Sequence, residues 1–304
     1  EHHQINLTPD LAEQNLKTLL NDLDEPIADS AIIATYIIAK EAKTRGVKVL
    51  LSGAGADEIF GGYNRHQFSP SIGKLAIIKI LNLCPNVFYN LLGEFKVKTI
   101  IDSSISYLGQ ISGINYSSLI TLLSKNNKKY LNECFDTVRL RLSVNKYSLK
   151  NETYSAMYND LQDYLVNDIL ALTDKATMAC SVEARVPFLD HKLVEYSFQL
   201  PKIINLLKGE PKGLLKSLMV SRLGKKLTYR KKEGFNAPIR DWMTKEDIYL
   251  SVSEILNSPC TPLFDLIDKE KLKSIGYVGG AKNSQLVYAI KLFNDWYNIN
   301  FGRP

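Results

Sequence analysis

The pattern of apolar and polar positions divides the chain into an opening α/β part and a longer helical part. His2–Leu7 alternates weakly and predicts a short strand. Thr8-Pro9 is a helix start, a capping hydroxyl followed by proline at the first helical position, and Leu11–Leu23 then carries apolar residues at helical spacing. Asp24-Glu25-Pro26 breaks that helix. Asp29 can cap a second one, ADSAIIATYIIAKEAKTRG, ended by Gly46. Its apolar residues cover nearly the whole circumference, which predicts burial. Val47–Leu51 is a continuous apolar run, as expected of an interior parallel strand. These elements predict a βαβ-type connection with two helices in the crossover.

After Tyr63 the β signals fade. Asp160–Ala179 and Asn283–Asn298 predict helices, the second with Leu286, Val287, Ile290, Phe293, Trp296 and Tyr297 on one stripe. The expected fold class is α/β, mostly helical: a partial parallel sheet over residues 1–66, then a mostly helical part over residues 67–304. Two parallel strands make a poor sheet alone, and the chain begins Glu1-His2-His3 without methionine. Both observations predict a piece of a longer protein.

Composition narrows the function classes. With 304 residues, 45% hydrophobic and 23% charged, the chain has the make-up of a soluble globular protein with a sizeable core. No apolar run approaches the roughly 20 residues of a spanning helix, so no membrane partner is expected. The four cysteines are far apart and, with four scattered histidines, give neither zinc spacing nor a disulfide framework. Reduced thiols and a cytoplasmic location are the expectation. The net charge of +6 is uneven, with nine Lys/Arg and one acid (Glu210) between Lys208 and Lys232. Such a run is a solvated basic face or a polyanion site. Its few aromatics and its lack of a nucleic-acid module argue against nucleic acid.

The densest chemistry follows the apolar strand. Ser52-Gly53-Ala54-Gly55 occupies the carboxyl end of that strand, where open parallel sheets bind ligands. Glycines let backbone amides approach a ligand, and a helix N-terminus favours an anion or an anion-bound metal. A dinucleotide fingerprint would need glycine where Glu58 stands, and a Walker loop would end in Gly-Lys-Ser/Thr. Acids here repel bare phosphate. Asp57 therefore reads as a ligand for Mg²⁺ that carries phosphates. The alternative is that Asp57 and Glu58 only complement the helix dipole.

LSGAGADEIFGGY closely resembles the LSG-x-G-x-DE-x-FGGY segment of the glutamine-dependent asparagine synthetases. Asp168–Leu193, DILALTDKATMACSVEARVPFLDHKL, is similar to the D-x-x-S-M-A…E-x-R-x-PFLD block of that family, with Thr177 at the usual serine. Tyr229–Phe235, YRKKEGF, resembles its R-x-K-E/K-x-F segment. The resemblance implies a PP-loop ATPase-like, adenine-nucleotide-binding domain behind a glutaminase domain of the same chain. It also implies a ligase of asparagine biosynthesis: aspartate is activated by ATP and Mg²⁺ as an acyl-adenylate, and ammonia from glutamine displaces AMP. Carried over by position, Ser52, Gly53 and Gly55 contact the nucleotide and Asp57 holds Mg²⁺. Lys232 stabilises charge that develops during adenylation and ammonia attack, a task suited to a lysine point charge. Asp168 lies where the family has an acid near the substrate pocket. A homodimer is compatible with this resemblance.

Other motif residues carry blander expectations. Glu183 and Arg185, two apart, would not pair along a helix, and each is expected to anchor a neighbouring segment. Asp190 can cap the helix that runs through Val194. Gly61, Gly62 and Tyr63 serve close packing or a helix end, and Met178 is expected in the core. His66 and His191 have no partner cluster in the sequence and receive no chemistry. Two departures keep alternatives open. The family's S-G-G-x-D-S PP-loop is absent and belongs upstream of residue 1, as does the glutaminase domain, so this portion alone is expected to bind ATP poorly. Ala54 stands where the family carries an acid, as in SGEG or SGDG. A sibling adenylating ligase, of the type that closes β-lactam or peptide rings, therefore remains an alternative, as does a non-catalytic scaffold.

Overall fold

The computed structural model describes residues 2–67, 81, 103–114, 116–124, 127–148, 152–206, 210–231, 234–258, 262–278 and 283–302. They are mostly helical, with a small parallel sheet. The chain divides into two compact units, each drawn from separated stretches of sequence. No helix among the described residues is long and apolar enough to cross a membrane.

The first unit comprises Glu1–Ile38, Gly73–Arg139 and Asn236–Pro304. Its opening helix, Pro9–Asp22, starts as the sequence predicts: Leu11 N donates to Thr8 Oγ1 at 3.3 Å, and proline takes the position where an amide would be unpaired. Leu19 and Leu20 on this helix are buried. The last helix, Ser284–Phe301, ties back to it through Trp296 Nε1 donating to the Leu23 carbonyl at 2.8 Å. Leu286, Val287, Ile290 and Trp296 of the predicted stripe are buried, while Phe293 and Tyr297 are half-buried. Leu286, Val287 and Ile290 join a core with Ile248 and Ile255 of helix Lys245–Asn257 and Leu272 of helix Lys269–Val278. A Cβ on Gly276 would lie 3.1 Å from Val252, so glycine permits the close approach of these two helices.

The second unit comprises Ala39–Ile72 and Leu140–Phe235. Its sheet is strand β1 (Val49–Leu51) parallel to strand β2 (Glu183–Arg185), with Val49 opposite Glu183 and Leu51 opposite Arg185. This corrects the expected βαβ connection. His2–Leu7 forms no strand; its residues are exposed apart from half-exposed Leu7, because a mostly polar segment has no apolar face to bury. Among the described residues the partner of β1 is β2, far along the chain, where no period-2 alternation announces a three-residue strand.

The helix Ala31–Thr44 matches its predicted ends, with Ala31 N donating to Asp29 Oδ1 at 2.8 Å and Gly46 at φ +75°. Ile32, Ile33, Ala39 and Ala42 are buried, whereas Ile38 is exposed. Asp160–Ala179 is helical but not uniform: helix Glu152–Gln162, a π-helical turn Leu165–Leu170 and helix Ala171–Met178 follow one another. Met178 is 53% exposed, contrary to the expected core position, because it ends its helix just before a turn with Ser181 at φ +54°.

Candidate active site

The turn Ser52–Gly55 leaves β1 at its carboxyl end. Ser52 N donates to the Arg185 carbonyl at 2.7 Å and Glu183 N to the Lys48 carbonyl at 2.8 Å. Two motif blocks far apart in sequence therefore stand side by side on one ladder. Ala54 N donates to Ser52 Oγ at 3.2 Å, a local side-chain turn that shapes the loop and leaves the hydroxyl proton to donate elsewhere.

The two glycines of the turn serve different ends. Gly55 has φ +89° and caps the one-turn helix Ala56–Ile59; a Cβ there would sit 2.3 Å from Leu189 Cδ2. Leu189 belongs to the Pro187–Leu189 turn, and Phe188 of that turn meets Phe60 edge-on at 6.3 Å. Gly53 is exposed, and a Cβ there would meet nothing within 4 Å. Gly55→Ala should therefore lower stability by about 2–4 kcal/mol, combining the left-handed backbone penalty with overpacking. Gly53→Ala should stay within about 1 kcal/mol of the parent. Urea unfolding of both variants checks the contrast.

Asp57 follows on the first turn of that helix and is half-buried. Its Oδ2 accepts from Lys212 Nζ at 2.9 Å. Lys212 is itself held, with φ +53° and its amide donating to the Phe60 carbonyl at 3.1 Å. Gly62 N donates to the Asp57 carbonyl at 2.8 Å, and a Cβ on Gly62 would fall 1.8 Å from Asp57 Oδ1. Glycine there is required for the carboxylate to keep its place. Among the described residues no group of three or more His, Cys, Asp or Glu could cage a metal. A single carboxylate fits an ion held chiefly by substrate phosphates and water, the usual state of Mg²⁺ at a nucleotide.

Glu58 points the other way. It is 1% exposed, its Oε1 accepts from Tyr63 OH at 2.8 Å, and burial raises its pKa above the ordinary carboxylate value. The acid pair thus splits into one carboxylate facing Lys212 and one locked inside. Asp168 is half-buried on the π-helical turn, a helix irregularity frequent at functional sites, and its carbonyl accepts from Ala171 N. Ser52, Gly53, Gly55 and Asp57 share one turn; Asp168 lies on another segment of the same unit; Lys232 lies outside the described residues.

Several expectations change on the structure. Glu183 and Arg185 pair directly, Arg185 Nε donating to Glu183 Oε1 at 3.0 Å, because β2 is a strand and residues two apart share a face. The pair is exposed, and the guanidinium holds the Glu183 carboxyl below its ordinary value. Asp190 caps helix His191–Gln199 as expected, accepting from Lys192 N at 3.0 Å. Thr177 is buried and bonds back to the Thr173 carbonyl at 2.9 Å. His66, without a partner in the sequence, is fully buried with Nε2 2.5 Å from Asp160 Oδ2. Lys212 was invisible among nine basic residues; its left-handed backbone, its amide bond to Phe60 and its ion pair with Asp57 appear only in the structure.

A glycine-built turn at the end of a parallel strand, with the Asp57 carboxylate facing Lys212, stands where open parallel sheets bind ligands. Residues 1–296 match the family described as Asparagine synthase, and the chain belongs to that family. It is similar to Asparagine synthetase [glutamine-hydrolyzing] 1 of Bacillus subtilis (strain 168), 29% identical over 311 residues, covering 97% of this chain and 47% of that protein. Asparagine synthetase [glutamine-hydrolyzing] 3 of the same organism is 24% identical over 264 residues, covering 82% of this chain and 38% of that protein. Amidase chyE of Penicillium rubens (strain ATCC 28089 / DSM 1075 / NRRL 1951 / Wisconsin 54-1255) is 23% identical over 286 residues, covering 83% and 40%. The chain spans less than half the length of these relatives.

Proposed function

We propose that this chain is the synthetase portion of an ATP-dependent, amide-forming ligase that converts aspartate to asparagine with ammonia drawn from glutamine. The observation that carries this reading is the Asp57–Lys212 pair on the turn that closes β1. In the proposed reaction a side-chain carboxylate oxygen of aspartate attacks the α-phosphorus of ATP and expels pyrophosphate. Ammonia then attacks the acyl carbon and expels AMP, releasing a proton.

The exposed backbone at Gly53 lets a nucleotide approach within hydrogen-bond reach, and the Ser52 hydroxyl offers a donor beside it. Asp57 is the residue that would hold Mg²⁺, and the ion would supply positive charge to the phosphates. Lys212 keeps the Asp57 carboxylate in place and adds a positive charge on the same side. Lys232, placed by resemblance, supplies charge to the reacting phosphoryl and acyl centres, and Asp168 lies by the substrate. The PP-loop and the glutaminase domain of the family would come from sequence before residue 1.

The test is aspartate-dependent exchange of labelled pyrophosphate into ATP by the protein expressed from its natural start codon. Exchange that requires aspartate is the expected result. A protein that binds ATP with Mg²⁺ but shows no exchange with aspartate would shift the reading to a sibling ligase with another acyl substrate. Ala54 is the observation that favours this second reading, since it offers no carboxylate at the turn.

A further inference from the structure

Behind the Asp57 turn lies a buried polar centre that the proposed reaction does not use. Arg65 Nε donates to Asp160 Oδ2 at 2.7 Å, and His66 Nε2 meets the same oxygen at 2.5 Å. Asp160 and His66 side chains are 0% exposed and that of Arg65 is 14% exposed. The Arg65 guanidinium lies 4.0 Å from the centroid of the Tyr63 ring and 4.9 Å from that of Tyr164. Tyr63 in turn donates to Glu58, the neighbour of Asp57. Burial lowers the His66 pKa below its ordinary value, and Nε2 is the ring nitrogen that faces Asp160.

Burying an ionic group is expensive, and apolar residues of similar size would stabilise such a core at least as well. What an ion pair adds is direction, because a guanidinium must meet its carboxylate and its aromatic faces in one geometry. The connections run in a definite path. Arg65 reaches Tyr63, and through the Tyr63 hydroxyl Glu58, on the Asp57 side. On the other side it reaches Asp160, near the end of helix Glu152–Gln162, and Tyr164, which opens the π-helical turn bearing Asp168. Arg65 thus touches both segments, and it combines a charge-assisted hydrogen bond to Asp160 with contacts to both aromatic rings, which also meet each other edge-on at 5.8 Å.

We infer that Arg65 is a positioning residue, which fixes the Asp57 turn against the Tyr164–Leu170 segment so that the carboxylate is presented in one orientation to a metal-bound nucleotide. This inference rests on the proposed role of Asp57. It differs from a purely structural role in one measurable respect. If Arg65 acts through Asp57, its loss affects Mg²⁺·ATP binding only while Asp57 is present.

The experiment is calorimetric titration of Mg²⁺·ATP into the protein expressed from its natural start codon, in a cycle of Asp57→Asn, Arg65→Met and the double variant. Arg65→Met is expected to weaken binding about tenfold, a 1.4 kcal/mol change, in the parent and less than twofold in the D57N background. Equal weakening in both backgrounds would overturn the inference, because that is the signature of a general structural defect. Unaltered binding by Arg65→Met, with Asp57→Asn impaired, would also overturn it while leaving the role of Asp57 intact. Asp57→Asn that binds like the parent removes the reading of Asp57 and this inference with it. Should Arg65→Met fail to fold, Arg65→Lys, which keeps the charge opposite Asp160 but loses the planar stack, takes its place in the same cycle. A smaller weakening, again confined to the Asp57 background, is expected of it, and equal weakening in both backgrounds counts against the inference.

Discussion

Asp57→Asn is expected to reduce aspartate-dependent pyrophosphate exchange by about two to three orders of magnitude, the scale for removing one preorganised electrostatic group from an active site. The amide keeps the shape of the carboxylate, so the Gly62 contact and the hydrogen bond from Lys212 Nζ can persist. What disappears is the negative charge that attracts a hard cation. The Mg²⁺ concentration for half-maximal exchange should therefore rise along with the loss of rate. Stability should change little, about 1 kcal/mol or less for a half-exposed ion pair. An Asp57→Asn protein with an unchanged Mg²⁺ titration would refute the ligand role.

Lys232→Ala should abolish turnover in the complete protein while leaving its circular dichroism spectrum and unfolding midpoint near those of the parent. A lysine that stabilises developing charge contributes in the transition state and much less in the ground state. The expected signature is a collapse of kcat with ATP affinity retained within a few-fold. The neighbouring basic residues provide the control. Lys225 and Lys226 are exposed near the end of helix Gly213–Thr228, and charge removal there should leave exchange unaltered. Full activity in Lys232→Ala would remove that residue from the mechanism and return the basic run to a solvated face.

Local chemistry was legible wherever a few adjacent residues decide the backbone. Thr8-Pro9, Asp29, Gly46 and Asp190 act at the helix ends where their side chains and backbones suit them, because capping is settled within one turn of chain. The stripe on Ser284–Phe301 buries as its spacing predicts for the same reason. His2–Leu7 failed as a strand, and Glu183–Arg185 escaped notice as one. A three-residue strand is too short for periodicity to register, and strands exist only where a partner offers a ladder.

The candidate site divides in the same manner. The turn Ser52–Asp57 could be read from its glycines and its acid, since phosphate-type chemistry needs open backbone beside a helix start. That Glu58 turns inward to Tyr63 while Asp57 faces Lys212 could not, because consecutive residues on a helix differ in direction and only packing says which is inside. The buried centre of Arg65, His66 and Asp160 was equally silent. Asp160 lies far along the chain from the adjacent Arg65 and His66, and a lone histidine or aspartate carries no mark of its partner.

The sequence by itself determined the family motifs, the capped ends of the helices at Thr8, Asp29, Gly46 and Asp190, and the glycine turn that follows β1, all features whose cause lies within a few residues. Only the tertiary structure decided which strand pairs with β1, which of two adjacent acids faces Lys212 and which turns inward to Tyr63, and which arginine is buried behind them. Those choices depend on contacts between segments far apart in the chain, where burial and geometry select among residues whose types alone do not distinguish them.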